Sequence, residues 1–222
     1  MLKFASSCAG LMVAGSALAG STQVDVFVDS QNDLFDNGFA NLDISQVTVT
    51  QSIVEGAISI DLAITTRGMS DWTKYMIFMD TGAEGTGSNP WNRPIDFGGQ
   101  GIDSFVGGWI DGGGGNQAWG FAGAWFLGGG IDFSVDWEAN TVHYTIVASN
   151  ASAGQVIGFD VATSGGGSGD AGVDHLSRSD MAMGGWGQTS YAGQFLSFTV
   201  IPAPGAIALF GLAGLTGSRR RR

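Results

Sequence analysis

The sequence predicts an all-β body, an antiparallel two-sheet sandwich of the jelly-roll-like kind, set between an N-terminal signal peptide and a short hydrophobic helix at the C-terminus. Three observations lead there. Apolar and polar residues alternate with period two in segment after segment, the signature of strands with one buried face. Helical periodicity is absent from the body. Glycine accounts for 38 of 222 residues, clustered at 98–101, 112–115, 128–130 and 165–169, where it allows tight turns between short strands. No blade-length repeat appears, which favours a sandwich over a propeller.

The strands follow in order along the chain. Val24, Val26 and Val28 alternate with Asp25, Phe27 and Asp29, and Val47 and Val49 with Gln46, Thr48 and Thr50. Ile58, Ile60, Leu62 and Ile64 form the cleanest half-buried strand, with Ser59, Asp61 and Thr65 facing out. Tyr75 to Met79 is apolar on both faces and predicts a central strand. Ile131, Phe133, Val135 and Trp137 alternate with acidic residues and serine; after a turn at Ala139-Asn140 the pattern resumes as Val142, Tyr144 and Ile146, which predicts a hairpin. Trp137 is expected in the core. Ile157, Phe159 and Val161, then Leu196, Phe198 and Val200, supply the last strands.

Both termini carry addresses. Lys3 precedes an apolar segment from Phe4 to Leu18, and Ala17-Leu18-Ala19 has the small-x-small pattern that signal peptidase accepts before Gly20, so residues 1–19 read as a signal peptide. Cys8, the only cysteine, falls inside it, leaving the exported body without a thiol or disulfide. At the other end the Phe198–Ile201 strand stops at Pro202-Ala203-Pro204-Gly205. The apolar run Ala206 to Leu215 is shorter than the roughly 20 residues a membrane span needs, and Arg219, Arg220, Arg221 and Arg222 would sit at an anionic cytoplasmic surface. Association with the inner membrane would therefore be transient.

The order Pro-x-Pro, hydrophobic stretch and arginine cluster over residues 202–222 resembles the PEP-CTERM sorting tails of exported bacterial proteins. Ala203 stands where the motif that names the family carries glutamate. The resemblance implies processing near Pro202 to Gly205 by an exosortase-type membrane enzyme, with residues 20–201 delivered to the cell envelope or the extracellular matrix. An ordinary C-terminal helix packed on the body is the alternative, and four adjacent arginines with no acidic neighbour argue against it.

Without those segments the body keeps four basic residues, Arg67, Lys74, Arg93 and Arg178, against all 20 acidic ones, a formal charge of −16. Such a surface repels nucleic acid and anionic lipid, and favours cations or uncharged partners. The same acidity also serves solubility alone.

Asp71-Trp72-Thr73-Lys74-Tyr75 through Asp80, with Gly87-Ser88-Asn89-Pro90-Trp91-Asn92-Arg93-Pro94, is similar to secreted carbohydrate-binding and DOMON-like sandwich modules. The resemblance implies aromatic glycan recognition, with exopolysaccharide as the partner. Trp72, Trp91, Trp109, Trp119, Trp125 and Trp186 lie in or beside glycine-rich loops. Trp91 and Trp119 have the polar neighbours that sugar hydroxyls use, Asn89 and Asn92 for one, Asn116 and Gln117 for the other. The competing reading has these rings closing the ends of the sandwich.

Two acidic groups have spacings that suit a structural calcium: Asp29, Asp33 and Asp36 after the first strand, and Asp80 with Glu84 around a glycine turn. Neither follows the EF-hand pattern, and solvated turn carboxylates are the default. Asp170, Asp174, His175 and Asp180 form a further cluster, poor in ligands for a transition metal. No other cofactor is expected. Catalysis finds little support. The three glutamates, Glu55, Glu84 and Glu138, sit at turns, no spacing pairs two carboxylates for glycoside hydrolysis, and no serine has a nucleophile-elbow context. Three functional expectations follow: a non-catalytic exported surface or matrix protein, a glycan-binding module, and, third, a polysaccharide-active enzyme.

Overall fold

The computed structural model describes residues 22–54, 57–147 and 151–201. The signal peptide at 1–19 and Glu55 lie outside the described residues. So does the whole sorting tail at 202–222, from Pro202, Ala203, Pro204 and Gly205 to Arg219, Arg220, Arg221 and Arg222. In chain order the strands are β1 (Gln23–Val28), β2 (Ile44–Val54), β3 (Ala57–Thr66), β4 (Lys74–Asp80), β5 (Ile95–Asp96), β6 (Ser104–Trp109), β7 (Gly115–Phe121), β8 (Trp125–Gly129), β9 (Asp132–Asp136), β10 (Thr141–Val147), β11 (Val156–Ser164), β12 (Asp174–His175), β13 (Ser190–Tyr191) and β14 (Leu196–Thr199).

They build two antiparallel sheets that face each other as a sandwich. The first runs β1-β2-β3-β10-β9, and the second β12-β11-β4-β6-β7-β8, with β14 pairing β11 beyond β12. A short parallel ribbon of β5 and β13 lies apart from both. Between the sheets Val47, Val49, Ile58, Ile60, Leu62 and Ile64 meet Tyr75, Ile77, Met79, Val106, Phe159 and Val161 in one continuous core. The expected strand on Ile58 to Ile64 is present with that face buried, and so is the hairpin of β9 and β10.

β4 is apolar on both faces because the second sheet is covered on both. Tyr75, Ile77 and Met79 face the first sheet, whereas Met76 and Phe78 join Phe105 of β6 in a second apolar cluster with Ile95, Phe97 and Ile102 from the segment that crosses the outside. Close approach on both faces explains a glycine pair in the middle of β6. A Cβ on Gly107 would run into the Trp91 ring on the outer face, and one on Gly108 would run into the Tyr144 hydroxyl on the inner face. Here glycine makes room within a strand rather than making a loop.

Two expectations change. Trp137 is 53% exposed instead of buried. β9 ends at Asp136, whose Oδ1 accepts the N–H groups of Glu138 and Ala139 at 3.0 Å each and turns the chain before Trp137 can continue the alternation. In β1 the exposed face is the valine face, since Val24, Val26 and Val28 all point outward. Phe27 turns inward instead, edge-on to Phe159 at 4.9 Å between ring centroids.

At one end of the sandwich the chain between β1 and β2 folds over a third apolar cluster of Leu34, Leu42, Ala171, Val173 and Met183, flanked by Phe35, Phe39 and Trp72. This packing brings the loop carboxylates against β12.

Candidate functional site

One oxygen from each of Asp33, Asp43 and Asp174 lies within 4.8 Å of the other two. Asp33 and Asp43 come from the loop after β1, and Asp174 comes from β12, more than a hundred residues away in the chain. Asp29, at the end of β1, is near enough for Asp33, Asp160 and Asp43 to act on its charge. The loop is held in place by its own carboxylate: Asp43 Oδ2 accepts the Asn32 N–H at 2.9 Å and Arg67 Nε at 2.6 Å. Asn32 has φ 64°, a left-handed conformation that asparagine tolerates better than most residues. Asp174 reaches across to β2, its Oδ2 accepting the Ile44 N–H at 2.6 Å while Oδ1 accepts the His175 N–H at 2.9 Å.

The cluster is buried and incompletely partnered. Asp43, Asp174 and Asp29 are 0%, 4% and 8% exposed. Asp29 Oδ2, Asp43 Oδ1 and both oxygens of Asp33 are shut off from solvent without a hydrogen bond. Burial, reinforced by the neighbouring carboxylates, pushes Asp29 up to about 8, and raises Asp174 well above the usual carboxylate range and Asp33 in the same direction. Arg67 is the cation in contact, against four carboxylates.

The structure therefore brings Asp33 together with Asp43 and Asp174, sets Asp29 beside them, and leaves Asp36, Asp80 and Glu84 elsewhere. Asp36 is exposed and accepts the Gly38 N–H at 2.9 Å. Asp80 accepts the Gly82 N–H at 2.9 Å, and Glu84 is exposed. Their turn is organised by Asp103, whose Oδ2 takes the Thr81 N–H, the Thr81 hydroxyl and the Ala83 N–H at 2.9–3.0 Å. Asp103 also stands at the wall of an apolar cleft of about 320 Å³ between the sheets, bordered by Ile60, Met79, Phe121 and Ile157.

A further buried group lies one residue along from Asp174. His175 Nδ1 is 2.7 Å from Asp160 Oδ2, and its Nε2 is 3.0 Å from Ser190 Oγ. That is the connectivity of a Ser-His-Asp triad. Yet Ser190, His175 and Asp160 are each 0% exposed, and Gly172 lies so close against the imidazole that a Cβ there would collide with Nε2. The remaining Asp160 oxygen accepts the Ser177 N–H at 3.0 Å. A substrate carbonyl has no approach to this hydroxyl, so the arrangement joins β11, β12 and β13 as a structural chain.

Trp91, Trp109, Trp119 and Trp125 lie on the outer face of the second sheet, whereas Trp72 and Trp186 pack against Phe39 at the third apolar cluster. Trp91 and Trp119 both donate their indole N–H to Gln117 Oε1, at 3.0 and 3.3 Å. Trp91 is tilted 48° to Trp109 and nearly edge-on to Phe105, and the Arg93 guanidinium lies 5.8 Å from its ring centroid. Asn92 is exposed beside them in a turn with φ 52°. Asn116 is on the opposite face of β7, where its side chain binds both the N–H and the carbonyl of Ile131, at 2.7 and 2.9 Å. Arg93, given no role by the sequence, is buried; its guanidinium donates to the carbonyls of Gly167 and Asp170 and so holds the glycine-rich loop at 165–169.

No protein-family model matches the chain, and no curated protein is significantly similar to it.

Proposed function

We propose that this is an exported, non-catalytic protein of the cell surface or extracellular matrix, a jelly-roll-like sandwich sorted by a PEP-CTERM-type tail. The observation that carries the proposal is where the fold closes. Val200 N–H donates to Gln155 O at 2.8 Å, Ile201 N–H donates to Gln51 Oε1 at 3.1 Å, and both residues are buried, just ahead of Pro202. A body hydrogen-bonded and buried up to Ile201 is compatible with processing in the segment that follows. Signal peptidase would leave Gly20 as the new N-terminus, and an exosortase-type enzyme would act near Pro202 to Gly205. Mass spectrometry of protein recovered from its native cell tests this. Wild type is expected to lack residues 1–19 and the arginine cluster, and replacing Arg219, Arg220, Arg221 and Arg222 with serine is expected to block tail processing. Recovery of secreted chains that keep all four arginines overturns the reading.

A second reading, glycan binding on the outer face, is favoured by the pairing of Trp91 and Trp119 on Gln117. Pull-down on exopolysaccharide tests it: loss of retention in Trp119→Ala supports a role for that ring, and unchanged retention removes it. For the enzyme reading, the sealed position of Ser190 speaks against turnover there, and a fluorophosphonate probe is expected to leave Ser190 unlabelled in native protein.

A further inference from the structure

We propose that Asp33, Asp43 and Asp174, with Asp29 beside them, form a binding site for a hard divalent cation of the Ca²⁺ class, which fastens the loop between β1 and β2 to β12 at the end of the sandwich. Geometry supplies the first argument. Oxygens that share one Ca²⁺ at 2.3–2.6 Å can stand no further apart than twice that, roughly 5 Å, and the oxygens of Asp33, Asp43 and Asp174 fall within 4.8 Å of one another.

The second argument is independent of acidity. Asp43 is wholly buried and Asp29 nearly so, and each has one oxygen with no partner, as have both oxygens of Asp33. Buried polar atoms are almost always paired, and an orphaned carboxylate oxygen costs more than a neutral group. The orphaned oxygens of Asp33 and Asp43 are explained together by one cation, whose charge would also favour the Asp29 carboxylate beside it. Neighbouring charge adds to the pull: Asp160 acts on Asp29 and Asp180 on Asp33, while Arg67 engages Asp43 alone.

The donor set selects the ion. All three ligands are carboxylates, and the nearby imidazole of His175 has both nitrogens engaged by Asp160 and Ser190, which disfavours Zn²⁺ and its relatives. Mg²⁺ retains several of its waters, which a mostly buried set of carboxylates accommodates badly, whereas Ca²⁺ accepts many direct oxygens in a flexible shell. The loop has reason to need it. Its carboxylates repel one another across the gap that its apolar residues close, and a cation converts that repulsion into a clasp.

The test uses the exported chain, stripped with chelator and then titrated with CaCl₂ alone or MgCl₂ alone by isothermal calorimetry and thermal melting. One equivalent of Ca²⁺ is expected to bind, raising Tm by about 5–10 °C at a hundredfold excess over Kd, with a smaller effect from Mg²⁺. Asp33→Asn is expected to weaken Ca²⁺ at least about tenfold, one lost charged ligand being worth about 1.4 kcal/mol or more. Asp36→Asn, in the same loop but outside the cluster, is expected to leave it unchanged. No heat and no Tm shift in wild type at millimolar Ca²⁺ overturns the proposal. So does weak binding of several equivalents that Asp33→Asn does not alter, which would be the general acidity of the surface. Should Asp33→Asn fail to fold, the wild-type stoichiometry decides alone.

Discussion

Asp174 and His175 are neighbours in β12, yet they belong to two buried networks of opposite kind. In the Asp160–His175–Ser190 chain both oxygens of the aspartate and both nitrogens of the imidazole have partners at 2.7–3.0 Å. In the cluster of Asp29, Asp33, Asp43 and Asp174, carboxylates are buried with oxygens that have none. One network has its hydrogen bonds complete and the other does not. Burial alone does not separate structure from function; whether the hydrogen bonds close does. The histidine chain has the residue types of a catalytic centre but is sealed from solvent. The carboxylate cluster has the composition of ordinary loop acidity and is the better candidate site.

The sharpest way to break this comparison is to remove a member of the complete network. His175→Ala leaves Asp160 buried without its principal partner and opens a hole beside Gly172, and a loss of about 3–5 kcal/mol is expected by denaturant unfolding. The same type of change in the open network has the opposite sign. In chelator, Asp33→Asn removes a charge that only repels its neighbours, and is expected to leave stability unchanged or raise it by about 1 kcal/mol. A large loss there would mean that the loop carboxylates already have partners and that the contrast is false.

The pH dependence of the metal-free protein should separate the two further. Asp29 titrates at about 8 when folded and near 3.8 when unfolded. The folded state therefore binds the extra proton between those values, so its contribution to stability is complete below about 3.8 and is lost as pH rises toward 8. Metal-free protein is expected to melt at progressively lower temperature across that window, and Asp29→Asn to flatten the slope. A melting temperature that rises from the acid to the alkaline end of the window in chelator would contradict the burial of this carboxyl.

The sequence carried the strands whose two faces differ. Ile58, Ile60, Leu62 and Ile64 alternate because one face meets the core and the other does not, and Tyr75 to Met79 does not alternate because both faces are covered. β6, β7 and β8 were invisible to that logic. In β6 glycine stands where a packed side chain would normally mark a face, since Trp91 and Tyr144 occupy the space over Gly107 and Gly108. Trp137 was misplaced because alternation has no way to register that Asp136 ends the strand with its own side chain. Half of the acidic cluster was legible, as Asp29 and Asp33 crowd one loop. Asp174 was grouped with Asp170, His175 and Asp180 instead, and Asp43 was not singled out, because their approach depends on the apolar packing of Leu34, Leu42 and Val173 under that loop, and a long-range contact of that kind leaves no local spacing to read. The triad-like chain was hidden for the same reason, its three residues coming from β11, β12 and β13.

The aromatic face offers an intermediate case, an acceptor with more donors than it needs. Gln117 Oε1 takes the indole N–H of Trp91 at 3.0 Å and that of Trp119 at 3.3 Å. In Trp119→Phe the longer bond disappears, the carbonyl oxygen keeps the shorter one, and a ring still covers the apolar surface. The expected loss is therefore under about 1 kcal/mol, the net worth of one partly exposed hydrogen bond. Trp91→Phe takes the stronger donor from the same oxygen and shrinks the ring that sits directly on Gly107, so it should cost more. Equal losses in the two variants, measured by the same unfolding assay, would show that Gln117 does not share its oxygen and that hydrogen-bond redundancy is not what makes this face tolerant.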